Sequence, residues 1–109
     1  MDDKEMLHWA AKGADIDLLE GVTWNPLDDD DDAIPLLLQL LRRGATLDGG
    51  PVGLLLSIDE PQVNAMAMAP LDASTWDMAA ALRRVTVDAL AQLTRSLEQA
   101  HEVITGEEA

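Results

Sequence analysis

The chain has no cysteine, no phenylalanine and no tyrosine, and only 7 of its 109 residues are lysine or arginine. Without cysteine, disulfides, thiolate metal sites and cysteine catalysis are excluded, which is compatible with a reducing compartment. Trp9, Trp24 and Trp76 are the only aromatic side chains besides two histidines, so core volume must come from Leu, Ala, Val, Ile and five Met. No apolar run approaches the roughly 20 residues needed to span a bilayer. The start, Met1-Asp2-Asp3-Lys4-Glu5, lacks the basic segment of a signal peptide, and a soluble, cytoplasmic protein is expected.

Catalytic constellations are missing as well. His8 and His101 lie near opposite ends of the chain, so pairing of either with a nucleophile would be fortuitous. There is no phosphate-binding loop, dinucleotide fingerprint or His-rich metal spacing. No enzyme activity, cofactor or metal is expected.

What is present is acid. Twenty-one Asp and Glu give a formal net charge of −14, which repels DNA, RNA and anionic lipid and argues against direct nucleic-acid binding. High-salt adaptation or GC-rich codon usage would give the same bias with no partner. An apolar content of 48% supports one globular domain over residues 1–109, with a frayed tail at about 106–109.

Met6, Leu7, Ala10 and Ala11 recur at helical spacing and predict a first helix over Asp3–Lys12, capped by Asp2 or Asp3 and stopped at Gly13. Ile16 to Val22 reads as a short strand, and Asn25-Pro26 as a turn. A second helix is expected from about Ala33 to Arg43, capped by Asp31 or Asp32 and stopped at Gly44. On it Ile34, Leu37, Leu38 and Leu41 form one stripe, which Leu36 and Leu40 widen beyond what one core face requires. Asp48-Gly49-Gly50-Pro51 reads as a turn, and Val52–Ile58 and Val63–Ala69 as a hairpin of alternating pattern. Ser74 or Thr75 is expected to cap a long last helix to about Thr105. Met78, Leu82, Val85, Ala89, Leu93, Leu97, Ala100 and Ile104 supply its buried stripe, and Arg84–Asp88 and Arg95–Glu98 its surface pairs. The expected fold class is α+β: a small antiparallel sheet covered on one face by helices, with a long C-terminal helix.

The five consecutive aspartates Asp28, Asp29, Asp30, Asp31 and Asp32 are the densest charge. As a calcium loop they fail, because counting from Asp28 places Ala33 and Gln39 where such a loop needs Gly and Glu. The plain role is a solvated loop that caps the second helix. The functional role is an acidic epitope, to which Asp59, Glu60, Asp88, Glu98 and Glu102 would add, with Trp24 and Trp76 as apolar anchors.

Trp24-Asn25-Pro26-Leu27, followed by aspartates and Ala33, resembles a segment of small phage and prophage proteins of unassigned function, including NinX-like proteins. Met6-Leu7-His8-Trp9-Ala10-Ala11-Lys12 and Ala79-Ala80-Ala81-Leu82-Arg83-Arg84 match the order of their first and last helices. The chain departs from that pattern in having only Gly13 to Val22 where the family carries a longer hairpin, and Asp where it carries Gly. The resemblance implies a small accessory protein in a bacterial host cell, and it brings no catalytic residues.

Two readings follow. In the first, the chain is a phage-type acidic binding protein that inhibits a basic, nucleic-acid-handling host protein or nucleoprotein defence complex, in the manner of anti-CRISPR or anti-restriction proteins or DNA mimics. In the second, it is a structural or regulatory homo-oligomer, the simplest a homodimer, assembled through Leu36 and Leu40, and its acidity serves solubility.

Overall fold

The computed structural model describes residues 1–16, 24–50, 53–59, 61–69 and 77–108, with side chains followed to residue 100. Helix α1 spans Asp3–Gly13 and α2 spans Asp30–Arg42. Strands β1 (Thr46–Gly50), β2 (Gly53–Ile58) and β3 (Val63–Met68) follow, and α3 (Met78–Glu108) closes the chain. The strands form an antiparallel meander in the order β1-β2-β3. The architecture is α+β, with a long C-terminal helix.

Alternation in β2 and β3 sets the inner face. Leu54, Leu56 and Ile58 are buried from β2, and Val63 and Ala65 from β3, while Met66 and Met68 face outward. Strand β1 was not expected. Asp48, Gly49 and Gly50 belong to it and pair with Leu55, Leu54 and Gly53, so the turn expected at 48–51 begins no earlier than residue 51. Glycine and aspartate are weak strand formers, and here β2 supplies the ladder that their own propensity does not. The strand expected over Ile16–Val22 lies outside the described residues apart from Ile16, which is in no regular element.

Helix α3 is the central element and packs against β2, β3, α1 and α2. Over Ala81–Thr94 it buries Ala81, Val85, Thr86, Val87, Ala89, Leu90, Ala91, Leu93 and Thr94, about three quarters of its circumference at about 100° per residue. The expected stripe holds at Val85, Ala89 and Leu93 but not at its ends, where Met78 and Leu97 are exposed. Both buried threonines donate to the carbonyl one turn back, Thr86 to Leu82 at 2.7 Å and Thr94 to Leu90 at 2.8 Å, which removes the penalty of an unpaired hydroxyl.

Helix α1 ends at Gly13, one residue later than expected. Asp15, not Gly13, takes the left-handed conformation (φ 58°), and the amides of Asp15 and Ile16 return to the carbonyls of Lys12 and Ala11, a Schellman closure. Gly13 serves packing. A Cβ there would collide with Thr94 Oγ1 and come to 3.0 Å from Leu90 Cδ1, so glycine lets α1 close onto α3. Helix α2 ends as expected at Gly44 (φ 91°), with Gly44 and Ala45 donating to Leu41 and Leu40.

The apolar faces of α2 are arranged differently from the expected stripe. Ala33, Leu36 and Leu40 are buried, and Leu37 packs beside them, whereas Ile34, Leu38 and Leu41 are exposed. Leu36 and Leu40 retain 2% and 0% exposure in the chain's own core, so neither can form a surface between copies. That assignment is corrected here: the wheel shows two apolar faces, and tertiary packing against α3 selects one of them.

Candidate acidic partner-binding site

The aspartate run is ordered by its own carboxylates. Asp29, not Asp31 or Asp32, is the N-cap of α2 and accepts from the Asp31 amide at 2.9 Å. Asp32 reaches back to accept from the Asn25 amide at 2.9 Å, and Asp28 accepts from Asn25 Nδ2 at 2.8 Å. Together these bonds fold Trp24–Leu27 onto the start of α2, so the helix begins three residues earlier than its apolar pattern suggests. Trp24 is half-buried against the core edge. Asp30 pairs with Arg83 Nη1 at 2.7 Å, and Arg83 Nε donates to the Leu27 carbonyl at 3.0 Å. The Arg83 guanidinium is held above its ordinary pKa, chiefly by the hydrogen bond to Asp30. The charges of Asp30, Asp77 and Asp28 add to this and partial desolvation opposes it. Asp31 keeps its carboxylate turned to solvent.

The run does not stand alone. Asp3 pairs with Arg84 at 3.1 Å at the start of α1, and Lys12 pairs with Glu98 at 3.0 Å at its end, so α1 runs in the same direction as α3. Helix α2 does likewise: Asp30 meets Arg83, while Gln39 and Arg43 line a groove with Leu90, Leu97 and Glu98 further along α3. All three helices therefore place their N-termini at one end. Each is capped there by a carboxylate: Asp2 accepts from Glu5, Asp29 from Asp31 and Asp77 from Ala80. Three helix dipoles present their positive ends to this region, which favours the acids gathered on them. Asp2, Asp3, Glu5, Asp28, Asp29, Asp30, Asp31, Asp32 and Asp77 share the end with Lys4, Arg83 and Arg84. Lys12, Arg42 and Arg43 sit at the opposite ends of α1 and α2.

Other residues expected at the site are placed elsewhere. Asp59 lies on the β2–β3 connection. The neighbouring Asn64 carbonyl is held by Gln92, nine residues and roughly 13 Å along α3 from Arg83. Asp88 is half-buried and accepts from Gln92 at 3.1 Å instead of pairing with Arg84. Glu98 pairs with Lys12 rather than Arg95. Glu60 and Trp76 fall outside the described residues, and so does the side chain of Glu102. Asp2, Asp3, Glu5 and Asp77 join the site unannounced. Asp2 was legible as a cap, whereas Asp77 caps α3 where Ser74 or Thr75 was expected, and the convergence of the four acids depends on helix direction.

His8 is exposed and meets the edge of the Trp9 ring at 5.5 Å, and Lys12 Nζ lies 5.4 Å from that ring's centroid. Among the described residues no group of three His, Asp or Glu side chains is disposed to hold a metal ion, and no helix is long and apolar enough to cross a membrane. Comparison of the chain with protein families, curated proteins and solved structures finds no match.

Proposed function

We propose that this protein is a non-enzymatic acidic binding protein. It would occupy a basic surface of a nucleic-acid-handling host protein or defence complex, and so exclude nucleic acid from it. The observation that carries this reading is the gathering of nine carboxylates on three co-directional helix N-termini, fixed by caps and by Arg83 and Arg84 rather than carried on a loose loop. Carboxylates held in place compete with phosphates for Lys and Arg without first losing conformational entropy. Their summed field speeds encounter and selects cationic partners. The resemblance of Trp24–Ala33 to phage accessory proteins supplies a bacterial setting for such an inhibitor.

The test is capture of basic proteins from a bacterial lysate by the tagged chain at low and high salt, followed by competition of the chain with duplex DNA for each captured protein. The triple variant Asp3→Asn, Glu5→Gln, Asp31→Asn leaves the caps Asp2, Asp29 and Asp77 in place. It is expected to bind more weakly and with a shallower salt dependence. Unchanged affinity and salt slope would remove the acidic end as the recognition element.

A second reading, homo-oligomerisation through α2, is favoured by the exposure of Ile34, Leu38 and Leu41 at 53%, 47% and 42%. They follow one another at helical spacing on a single face. Under that reading light scattering gives a dimer or larger assembly, which Leu38→Glu with Leu41→Lys converts to a monomer.

A further inference from the structure

The outer face of the sheet owes nothing to the acidic end. The strand register sets Asp48, Leu55 and Met66 side by side in one row across it, and Gly50, Gly53 and Met68 in the next. Met66 and Met68 are 62% and 63% exposed. Beside them lies a hollow of about 220 Å³, and the Cβ that Gly50 lacks would meet no atom within 4 Å. Its lining is apolar except for Asp48. Methionine on such a surface is an adaptable contact, since its unbranched, polarizable side chain remodels around irregular apolar groups.

Charge selects the occupant. On a chain of net charge −14, a second copy or an anionic partner meets repulsion at this face, and a cationic one is drawn to it. A bare polycation would gain nothing from Leu55 and the two methionines. A segment that alternates apolar anchors with Lys or Arg gains from both.

We propose that the outer sheet face docks a basic amphipathic segment of the partner protein. Apolar side chains of that segment enter the hollow against Leu55, Met66 and Met68, and a Lys or Arg beside them pairs with Asp48. This rests on the reading of the chain as a binder of basic proteins and adds a second contact surface to the acidic end.

The experiment titrates the full chain, labelled at its methionine methyl groups, with three synthetic peptides of equal length while affinity and methyl resonances are followed. One peptide carries Lys flanking its Leu side chains on the same face, one replaces its Leu by Ser, and one replaces its Lys by Gln. The Leu/Lys peptide is expected to bind at least about tenfold more tightly than the Ser/Lys peptide. It should shift the Met66 and Met68 methyls and leave that of Met6, which is buried. The double variant Met66→Gln, Met68→Gln should abolish that advantage, and Asp48→Asn should weaken the Leu/Lys complex most at low salt. Equal binding of the two cationic peptides with unmoved Met66 and Met68 methyls overturns the sheet-face site but leaves the acidic-end reading standing. Failure of both cationic peptides to bind removes both. Binding of the Leu/Gln peptide as tightly as the Leu/Lys peptide overturns the proposal, as do methyl shifts that follow chain concentration without any peptide, which would assign the face to a second copy.

Discussion

Gly13 illustrates how one missing side chain sets the distance between two helices. The residue lies in the last turn of α1 in ordinary helical conformation, and what it provides is the absence of a Cβ against Thr94 and Leu90. Thr94 cannot readily turn aside, because its hydroxyl is bonded to the Leu90 carbonyl. Gly13→Ala should therefore destabilise the fold by about 1–3 kcal/mol, read as a lowered urea midpoint, although alanine is the better helix former. An unchanged or raised midpoint would show that α1 can shift outward freely. Within the aspartate run the residues also divide. Asp29→Ala removes the cap of α2 and is expected to cost about 1 kcal/mol, whereas Asp31→Ala, which removes an exposed carboxylate with no bonding partner among the described residues, should stay within about 0.5 kcal/mol. Equal losses at the two positions would contradict the capping geometry. Five identical letters thus carry different roles. Sequence identifies an acidic helix start, but the cap residue is chosen by the turn that Asn25, Asp28 and Asp32 build in front of it.

At the scale of elements, the long third helix and the alternating hairpin were legible because each rests on a sustained local period. The second helix was legible as a helix and misread as a surface. Its leucines cover most of the wheel, so periodicity alone cannot say which of them meet α3. The consequence is measurable. Leu40→Ala, at full burial, should cost about 2–5 kcal/mol and leave the oligomeric state unchanged. Leu38→Glu with Leu41→Lys should leave the urea midpoint nearly where it was. A large destabilisation by the second pair, with little from Leu40→Ala, would reverse the assignment of the faces. Strand β1 was illegible for the opposite reason. Thr46-Leu47-Asp48-Gly49-Gly50 has turn composition, and only the neighbouring β2 draws it into the ladder.

For the whole molecule the governing fact is the direction of the helices. Three N-termini at one end concentrate the carboxylates there, and their mutual repulsion is offset by capping bonds, by helix dipoles and by Arg83 and Arg84. Repulsion among exposed charges is screened by salt. The melting temperature should therefore rise as sodium chloride is increased from about 0.01 M to about 0.3 M, while attraction to any cationic partner weakens over the same range. A melting temperature that falls would mean that the exposed ion pairs outweigh the repulsion. The sequence by itself determined the strong net charge, the helix-forming and alternating segments, the αL stop at Gly44 and the α+β class, since each follows from composition or from contacts a few residues apart. The tertiary structure decided which leucines are core, which aspartates are spent on caps, and that scattered acids at residues 2–5, 28–32 and 77 become one surface. Those outcomes depend on how helices far apart in the chain pack and point, and no local period encodes that.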